Sequence, residues 1–214
     1  RGGQYLINLH RQVETNLTLP HRFVCFTDDD AVGIDGIETR PLPDPELTGW
    51  WHKLSLHKLS VFPAGERVLY FDLDTLIVGP LDAIATYDGP FAILRDVYRP
   101  NGLQSSVMAW EAGRYDNIWD AWDRQGQPEV PGGDQAWIEK MFEFDWRKPG
   151  DETPSAKPAL LQQLFPGKFA SYKAECMAGV PEGVAVVVWH GQPRPHQCGG
   201  WARQVWRDSA ADLG

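Results

Sequence analysis

The stretch RVLYFDLDTLIVGPLD, from Arg67 to Asp82, decides the fold prediction. Its first half is an apolar and aromatic run that ends in turn residues, which is typical of a buried strand. Two acids, Asp72 and Asp74, interrupt the run. Alternate residues of a strand face the same side, so we predict both carboxylates on one face, roughly 6.5–7 Å apart along the backbone.

Two neighbouring carboxylates repel each other and are costly to bury without a partner. A divalent cation resolves both problems, and oxygen ligands suit Mg²⁺ or Mn²⁺. Ligands of open α/β sheets bind beyond the carboxyl ends of the strands, where these acids lie. The pair Asp72 and Asp74 therefore predicts a metal site; the alternative is a turn at the strand end, in which one Asp caps the segment that follows.

Length and charge narrow the function classes. The chain has 214 residues and a formal net charge of −9, so we expect one α/β domain over residues 1–214 and no nucleic-acid partner. An anionic nucleotide would need a local cation to bind. The three cysteines match no zinc site or disulfide framework, which predicts a reducing cytoplasm. No signal peptide or transmembrane segment is expected.

Helices alternate with short apolar runs along the chain, which predicts an αβα sandwich with a mostly parallel central sheet. The first helix is predicted in RGGQYLINLHRQVETNL, whose apolar residues share one face. No strand precedes it, so a missing first strand is part of this expectation. One helix is predicted in WWHKLSLHKLSVF, with Trp51, Leu54, Leu59 and Phe62 on one face. Further strands are expected in HRFVCFT, PFAILRD, LQSSVMAW and GVAVVVWH, further helices in GRYDNIWDAWDRQ and DQAWIEKMF, and a tail helix within 201–214.

The region KLSLHKLSVFPAGERVLYFDLDTLIVGPLD resembles the DxD region of GT-A glycosyltransferases, in particular the group of glycogenin and the bacterial lipopolysaccharide galactosyltransferases. In that group, an aromatic-x-Arg-Leu segment opens a helix and a vLYLDxD strand follows. Here WHKL stands in the first place, with Lys53 where the group has Arg. The resemblance implies the GT-A form of the αβα sandwich.

Three later segments carry the same resemblance. GLQSSVMAW is similar to the group's FNAGVMLxN strand, with Gln104 and Ser105 at the matching positions. GGDQAWI resembles the DQDxLN helix start and supplies Asp134 and Gln135. VVWHGQPRP resembles the terminal HxxGxxKPW, in which His190 matches a metal-binding His. Arg194 of the same segment stands near the phosphate-binding Lys.

The resemblance implies a hexosyltransferase-type enzyme that moves a sugar from a nucleotide-sugar to a hydroxyl acceptor with retention. In the group the donor is usually UDP-linked, and the same is expected here. The resemblance also implies that Asp72, Asp74 and His190 hold Mn²⁺ or Mg²⁺. Such a mixed set suits Mn²⁺, which accepts both oxygen and imidazole ligands. The acceptor class stays open among a saccharide, a lipid-linked saccharide and a protein.

The same resemblance implies roles for residues outside the metal set. Lys53 and Arg194 would contact the diphosphate, and Asp72 would also lie at the nucleotide. Asp134 would hydrogen-bond the donor sugar, with Gln135 near the anomeric carbon; both are the predicted catalytic residues.

Asp28 and Asp29, which end the strand of HRFVCFTDD, are further candidates for nucleotide contact. Trp51 and Trp201 are further candidates for stacking on a sugar.

Each candidate also has a purely structural alternative. His190 could be a structural strand-end histidine, and Lys53 an exposed, solvated lysine. Asp134 follows two glycines at a helix start and could be an N-cap. Asp28 and Asp29 could be turn residues.

Two other functions stay open. The first is a nucleotide- or sugar-binding relative without activity, suggested by the altered QSS segment. The second is an aspartate-nucleophile phosphatase, because DLDTL is similar to its DxDx[TV] motif. In that motif the Thr lies two residues beyond the second Asp, whereas Thr75 follows Asp74 directly.

Overall fold

The computed structural model describes residues 2–29, 33–99, 101–142 and 157–209. The chain divides into two compact units, and each is interrupted in sequence. Unit 1 consists of Arg1–Arg40, Phe71–Tyr87 and Phe165–Gly214, and unit 2 of Pro41–Tyr70 and Asp88–Leu164. The expectation of one domain over residues 1–214 stays a prediction.

Unit 1 is a small α/β arrangement whose elements come from all three of its segments. Its helices and strands are α1 (Gly2–Asn16), β1 (Phe23–Thr27), β2 (Ile37–Pro41, whose last residue belongs to unit 2), β4 (Leu76–Ile77), α3 (Asp82–Ala85), β8 (Phe169–Ser171), a π-helical turn (Tyr172–Cys176), β9 (Val186–Val188), a 3-10 helix (Pro195–Gln197) and α7 (Gly200–Asp208). Strand β9 lies between β4, to which it is antiparallel, and β8, to which it is parallel.

Helix α1 confirms the first predicted helix and its apolar face, since Leu6, Leu9 and Val13 are buried. Polar side chains on its buried face also join distant parts of unit 1. The Gln12 side-chain oxygen accepts a hydrogen bond from the Ile77 amide at 2.8 Å. The Asn8 side chain donates to the Trp206 carbonyl at 3.0 Å. Helix α1 is therefore fixed to both β4 and α7 by bonds that periodicity alone does not predict.

The elements of unit 2 are a 3-10 helix (Gly49–Trp51), α2 (His52–Ser55), β3 (Arg67–Phe71, whose last residue belongs to unit 1), β5 (Phe91–Arg95), β6 (Leu103–Glu111), α4 (Asn117–Arg124), α5 (Gly133–Met141), β7 (Ala159–Leu160) and α6 (Leu161–Leu164). Its strands form a four-stranded sheet in the order β3-β6-β5-β7. Strands β5 and β6 pair antiparallel, with Phe91 opposite Trp110, and β7 runs parallel to β5.

Helix α5 is fixed to the β5–β6 hairpin by a buried charge network. The Arg99 guanidinium donates to Asp96 at 2.9 Å and to Glu139 of α5 at 3.1 Å. Glu139 also accepts the backbone amide of Leu103 at 2.7 Å. Charge-assisted hydrogen bonds of this kind are strong and directional. They set the position of α5, whose first turn carries two of the predicted site residues.

The α/β class is confirmed, and a strand or helix is present in each predicted segment, but the arrangement, burial and extent of several elements need correction. Among the four pairings for which a register is described, two are parallel and two antiparallel, so a mostly parallel arrangement does not hold there. Strand β1 is half-buried rather than buried. The tail helix ends at Asp208 and buries Trp206, and residues 210–214 of its predicted range lie outside the described residues.

The predicted helix in WWHKLSLHKLSVF is much shorter than expected. The 3-10 turn and α2 end at Ser55, and turns continue to Val61. Leu59 is 60% exposed, so the predicted apolar face is wrong. Four consecutive residues, 54 to 57, are buried instead, and four in a row cannot share one helical face. No helix of the described residues has the length and apolar character that crossing a membrane requires.

Candidate functional site

Three residues from separate segments of unit 2 form one polar network. They are Lys53 of α2, Ser105 of β6 and Asp134 of α5. The Lys53 ammonium donates to the Ser105 hydroxyl at 3.0 Å, and that hydroxyl donates to the Asp134 carboxylate at 2.6 Å. Lys53 Nζ also lies 3.4 Å from an Asp134 carboxylate oxygen. The structure thus brings together three positions that the sequence named separately.

The network lies in a largely dry environment. The Lys53 side chain is 14% exposed and that of Asp134 is 8% exposed. Burial strengthens their attraction and makes each charge dependent on the other. The Lys53 ammonium also lies over the Tyr70 ring, 5.7 Å from its centre. The alternative of a solvated surface lysine is therefore wrong.

Asp134 is not the cap of its helix. Gly132 is the N-cap residue of α5, and no side chain makes a capping bond there. The carboxylate instead reaches Ser105 and Lys53 from the first turn of α5, where the partial positive charge of the helix end favours an anion. Gln135 follows in the same turn and is half-buried.

Gln104 and Ser105 matched the same sequence motif, but their side chains lie on opposite faces of β6. Neighbouring strand residues point to opposite faces. Ser105 joins the network, whereas the Gln104 side chain donates to Ser106.

Trp51 stacks on Trp122, with ring centres 5.2 Å apart. In unit 1 the Trp201 indole donates to the Cys176 carbonyl at 2.7 Å.

The two acids of unit 1 lie in a turn and not in a strand. Strand β3 ends at Phe71, and the Thr75 amide donates to the Asp72 carbonyl at 3.0 Å, which closes a turn over Asp72–Thr75. The prediction of two carboxylates on one strand face is therefore wrong. In a turn the two carboxylates need not share one face, which lowers their mutual repulsion. Asp72 and Asp74 are both half-buried.

Asp74 has a cationic partner that the sequence did not predict. The Arg194 guanidinium forms an ion pair with its carboxylate, and the Asp74 side chain is 12% exposed against 39% for Arg194. The backbone of Arg194 is fixed by Gln197, whose side chain accepts the Arg194 amide at 2.7 Å. The sequence motif predicted a cationic residue at Arg194, near the position of a phosphate-binding Lys. It did not predict that Asp74 is the anion that pairs with it.

The predicted metal ligands carry donor atoms that suit a metal ion, but their side chains are not arranged around a common point. Asp72, Asp74 and His190 offer the oxygen and imidazole donors that suit Mn²⁺. His190 is half-buried and lies two residues beyond β9. Across the described ranges, no group of three His, Cys, Asp or Glu side chains is placed to hold a metal ion. The positive charge at Asp74 comes instead from Arg194.

Asp28 and Asp29 are exposed residues just beyond β1. The Asp29 amide donates to the Thr27 hydroxyl at 3.0 Å, which is a local turn bond. This geometry is that of the structural alternative, and their contact with a nucleotide stays a prediction.

Comparison with solved structures shows the fold. The chain superposes on LgtC in complex with donor and acceptor sugar analogs with a TM-score of 0.66 at 14% identity, covering 97% of this chain and 91% of LgtC. An active-site mutant of LgtC gives the same TM-score at 13% identity, over 97% of this chain and 91% of that one. The glycosyltransferase GlyE of Streptococcus pneumoniae TIGR4 gives 0.55 at 15% identity, over 82% of this chain but only 46% of GlyE.

No family model and no curated protein matches the chain. The predicted resemblance to GT-A glycosyltransferases is confirmed at the level of the fold. This chain thus spans nearly the whole of LgtC and less than half of GlyE.

Proposed function

We propose that this protein is a metal-dependent glycosyltransferase that moves a sugar from a nucleotide-sugar, UDP-linked, to a hydroxyl acceptor with retention. The observation that carries the proposal is the network of Lys53, Ser105 and Asp134. Its members come from three segments that each resemble a motif of one glycosyltransferase group, and they meet in a chain with a glycosyltransferase fold.

Unit 2 supplies groups suited to the transferred sugar. Asp134 is an acceptor for sugar hydroxyls, and the Lys53 ammonium beside it orients this carboxylate. Lys53 is also proposed as a contact of the diphosphate. Sugar transfer passes through an oxocarbenium-like state, so a polar group near the anomeric carbon favours the reaction. We assign that place to Gln135, the next residue of α5.

Unit 1 supplies groups suited to the leaving nucleoside diphosphate. The Arg194 guanidinium is a hydrogen-bond donor suited to phosphate oxygens. The proposed ligands of Mn²⁺ or Mg²⁺ are Asp72, Asp74 and His190. When bound, the metal would neutralise the charge that develops on the diphosphate. Arg194 must leave Asp74 for that carboxylate to take a metal, and a phosphate group is the natural competitor for its guanidinium. Asp28 and Asp29 are proposed as further nucleotide contacts, and the cytoplasm as the location.

The test is a transfer assay. The purified chain is incubated with UDP-glucose, UDP-galactose or their GDP counterparts, with Mn²⁺ and a panel of saccharide acceptors, and glycosylated product is detected by mass spectrometry. We expect product from one UDP-sugar, with a loss of at least 100-fold in Asp134→Asn. NMR of the product's anomeric proton decides retention.

Two outcomes contradict the proposal in different ways. Binding of UDP with Mn²⁺ but no product from any donor would indicate a relative without activity. Release of phosphate from p-nitrophenyl phosphate, abolished in Asp72→Asn, would indicate the phosphatase. For a transferase, we expect that excess Mn²⁺ restores part of the activity of Asp72→Asn, because that substitution weakens a ligand and removes no nucleophile.

A further inference from the structure

The two adjacent tryptophans of unit 2 differ in their surroundings. Trp51 is packed, because it stacks on Trp122 at 5.2 Å and 18°. Trp50 is 59% exposed. Single exposed hydrophobic residues are common on protein surfaces, so exposure by itself indicates no function. What distinguishes Trp50 is the surface against which its indole lies.

The indole of Trp50 rests on Gly133, the second of two adjacent glycines. Gly132 and Gly133 both have positive φ angles, 98° and 72°. A Cβ atom at Gly133 would lie 2.8 Å from the Trp50 indole nitrogen and 3.1 Å from two carbons of its five-membered ring. Any other residue at this position would displace the ring. The sequence GGD thus allows one face of the indole to lie directly on the backbone at the start of α5, while more than half of the side chain remains open to solvent.

Two members of the polar network lie close in sequence to Trp50 and to the glycine that supports it. Gly133 is followed by Asp134, and Lys53 lies three residues after Trp50. These two side chains form the ion pair with Ser105 between them. Their opposite charges offset each other, so the ion pair carries no net charge. A flat apolar surface beside a neutral set of donors and acceptors suits a ligand with an apolar face and a hydroxyl-bearing edge.

We propose that the exposed face of Trp50 is a stacking surface for a pyranose ring. The C–H face of the sugar packs on the indole, and its hydroxyl groups are directed to the polar groups at the start of α5. The ring belongs either to the donor sugar or to the acceptor. This proposal rests on the proposed function only for the choice between these two sources, since sugar binding by itself requires no catalysis.

The test measures sugar binding without turnover. The probes are methyl glucopyranosides, methyl galactopyranosides, lactose and maltose, each titrated to about 100 mM and followed by saturation-transfer NMR and by the indole N–H resonances. The Trp50 resonance is identified from its absence in Trp50→Phe. We expect at least one saccharide to shift this resonance. We also expect Trp50→Ala to reduce saturation transfer at least fivefold, with part of the effect retained in Trp50→Phe.

The matched control is Tyr98→Ala, which removes an aromatic side chain of the same unit that is 58% exposed and lies in the β5–β6 hairpin. We expect no change in saccharide binding. Thermal unfolding followed by circular dichroism checks that Trp50→Ala remains folded, and Trp50→Leu separates the loss of a flat ring from the loss of apolar area. An effect of Trp50→Ala equal to that of Tyr98→Ala overturns the proposal.

The remaining arms separate the possible ligands. Displacement of the free saccharide by a UDP-sugar indicates the donor sugar, and simultaneous binding indicates the acceptor. A Trp50 resonance that moves with UDP alone, and with no saccharide, indicates stacking on a nucleobase and overturns the proposal. Saccharide binding that depends on Trp50 in a protein without transfer activity supports the stacking surface while the proposed function fails.

Discussion

The two polar clusters of this molecule compensate their charges in different ways. In unit 2, Lys53 and Asp134 are almost wholly buried, and Ser105 bonds to both. In unit 1, Asp74 is paired with Arg194, whose side chain is 39% exposed, and the acids lie in a turn. The first cluster is complete without a ligand, whereas the second depends on a partner that solvent and other anions can reach. A rigid cluster suits the recognition of a neutral sugar, and an exchangeable one suits a charged ligand that must leave.

The largest expected effect concerns the stability of the unit 2 cluster. Lys53→Met leaves the Asp134 carboxylate buried without its cation, which we expect to reduce the free energy of unfolding by about 3 kcal/mol. The double variant Lys53→Met/Asp134→Asn should recover most of this loss, since no charge remains buried. Urea unfolding measures both. Lys140→Met, which removes an exposed lysine of the same unit, is the control; an equal loss there would contradict the assignment.

The second prediction concerns the unit 1 cluster and binding instead of stability. Asp74→Ala should abolish the Mn²⁺ dependence of UDP binding in calorimetric titration, with an affinity loss of about 100-fold, because a metal ligand is lost. The free energy of unfolding should change little. Glu182→Ala makes the same change in charge at an exposed residue of unit 1 and should bind as the parent does. If Asp74→Ala keeps full Mn²⁺-dependent binding, the metal assignment is wrong.

The third prediction concerns how stability depends on pH, which decides the pH range in which the two clusters can be compared. Burial lowers the pKa of His57, in unit 2, to about 3, and neither ring nitrogen has a hydrogen-bond partner. The unfolded chain takes up this proton below about pH 6.5 and the folded chain does not, so stability falls as the pH falls between these values. From pH 7.5 to 5.0 the His57 contribution is about 2 kcal/mol.

The measurement is urea unfolding at several pH values. His57→Phe should flatten the dependence between pH 7 and 5, because the ring at this position contacts Phe91 and Trp110 and needs no polar partner. His21→Gln, which replaces a histidine of unit 1 paired with Glu14 at 2.9 Å, is the comparison variant for the loss of a different histidine. An unaltered slope in His57→Phe would show that other groups are responsible.

The smallest expected effect tests whether Arg194 and a metal compete for Asp74. Arg194→Gln should raise the affinity for Mn²⁺ alone about three- to tenfold, because the carboxylate loses its cationic partner. The same variant should weaken UDP binding, because the diphosphate loses a charged hydrogen-bond donor. Electron paramagnetic resonance of free Mn²⁺ measures the first effect.

Arg203→Gln removes an exposed positive charge of unit 1 outside this pair and controls for general electrostatics. Equal Mn²⁺ affinities of the two variants would mean that the ion pair with Asp74 does not regulate metal binding.

Much of the fold could be predicted from local patterns. The buried positions of α1 and the apolar runs of β5, β6 and β9 are set by contiguous residues, and the structure has them in the predicted places. The prediction fails where an apolar run continues past the end of its element. FDLDTL reads as strand, but the backbone turns at Asp72, and LSLHKLSVF reads as helix, but its residues bury four in a row.

The sequence by itself determined which chemical groups are present and on which short elements they lie. It identified Lys53, Asp134, Asp74 and Arg194 as separate candidates. Only the tertiary structure decided their partners: Lys53 meets Asp134 through Ser105, and Arg194 meets Asp74. The physical reason is that periodicity encodes which face of an element is buried, and this depends on neighbouring residues. Which polar atoms meet depends on the packing of segments far apart in the chain, where a buried charge must find a partner.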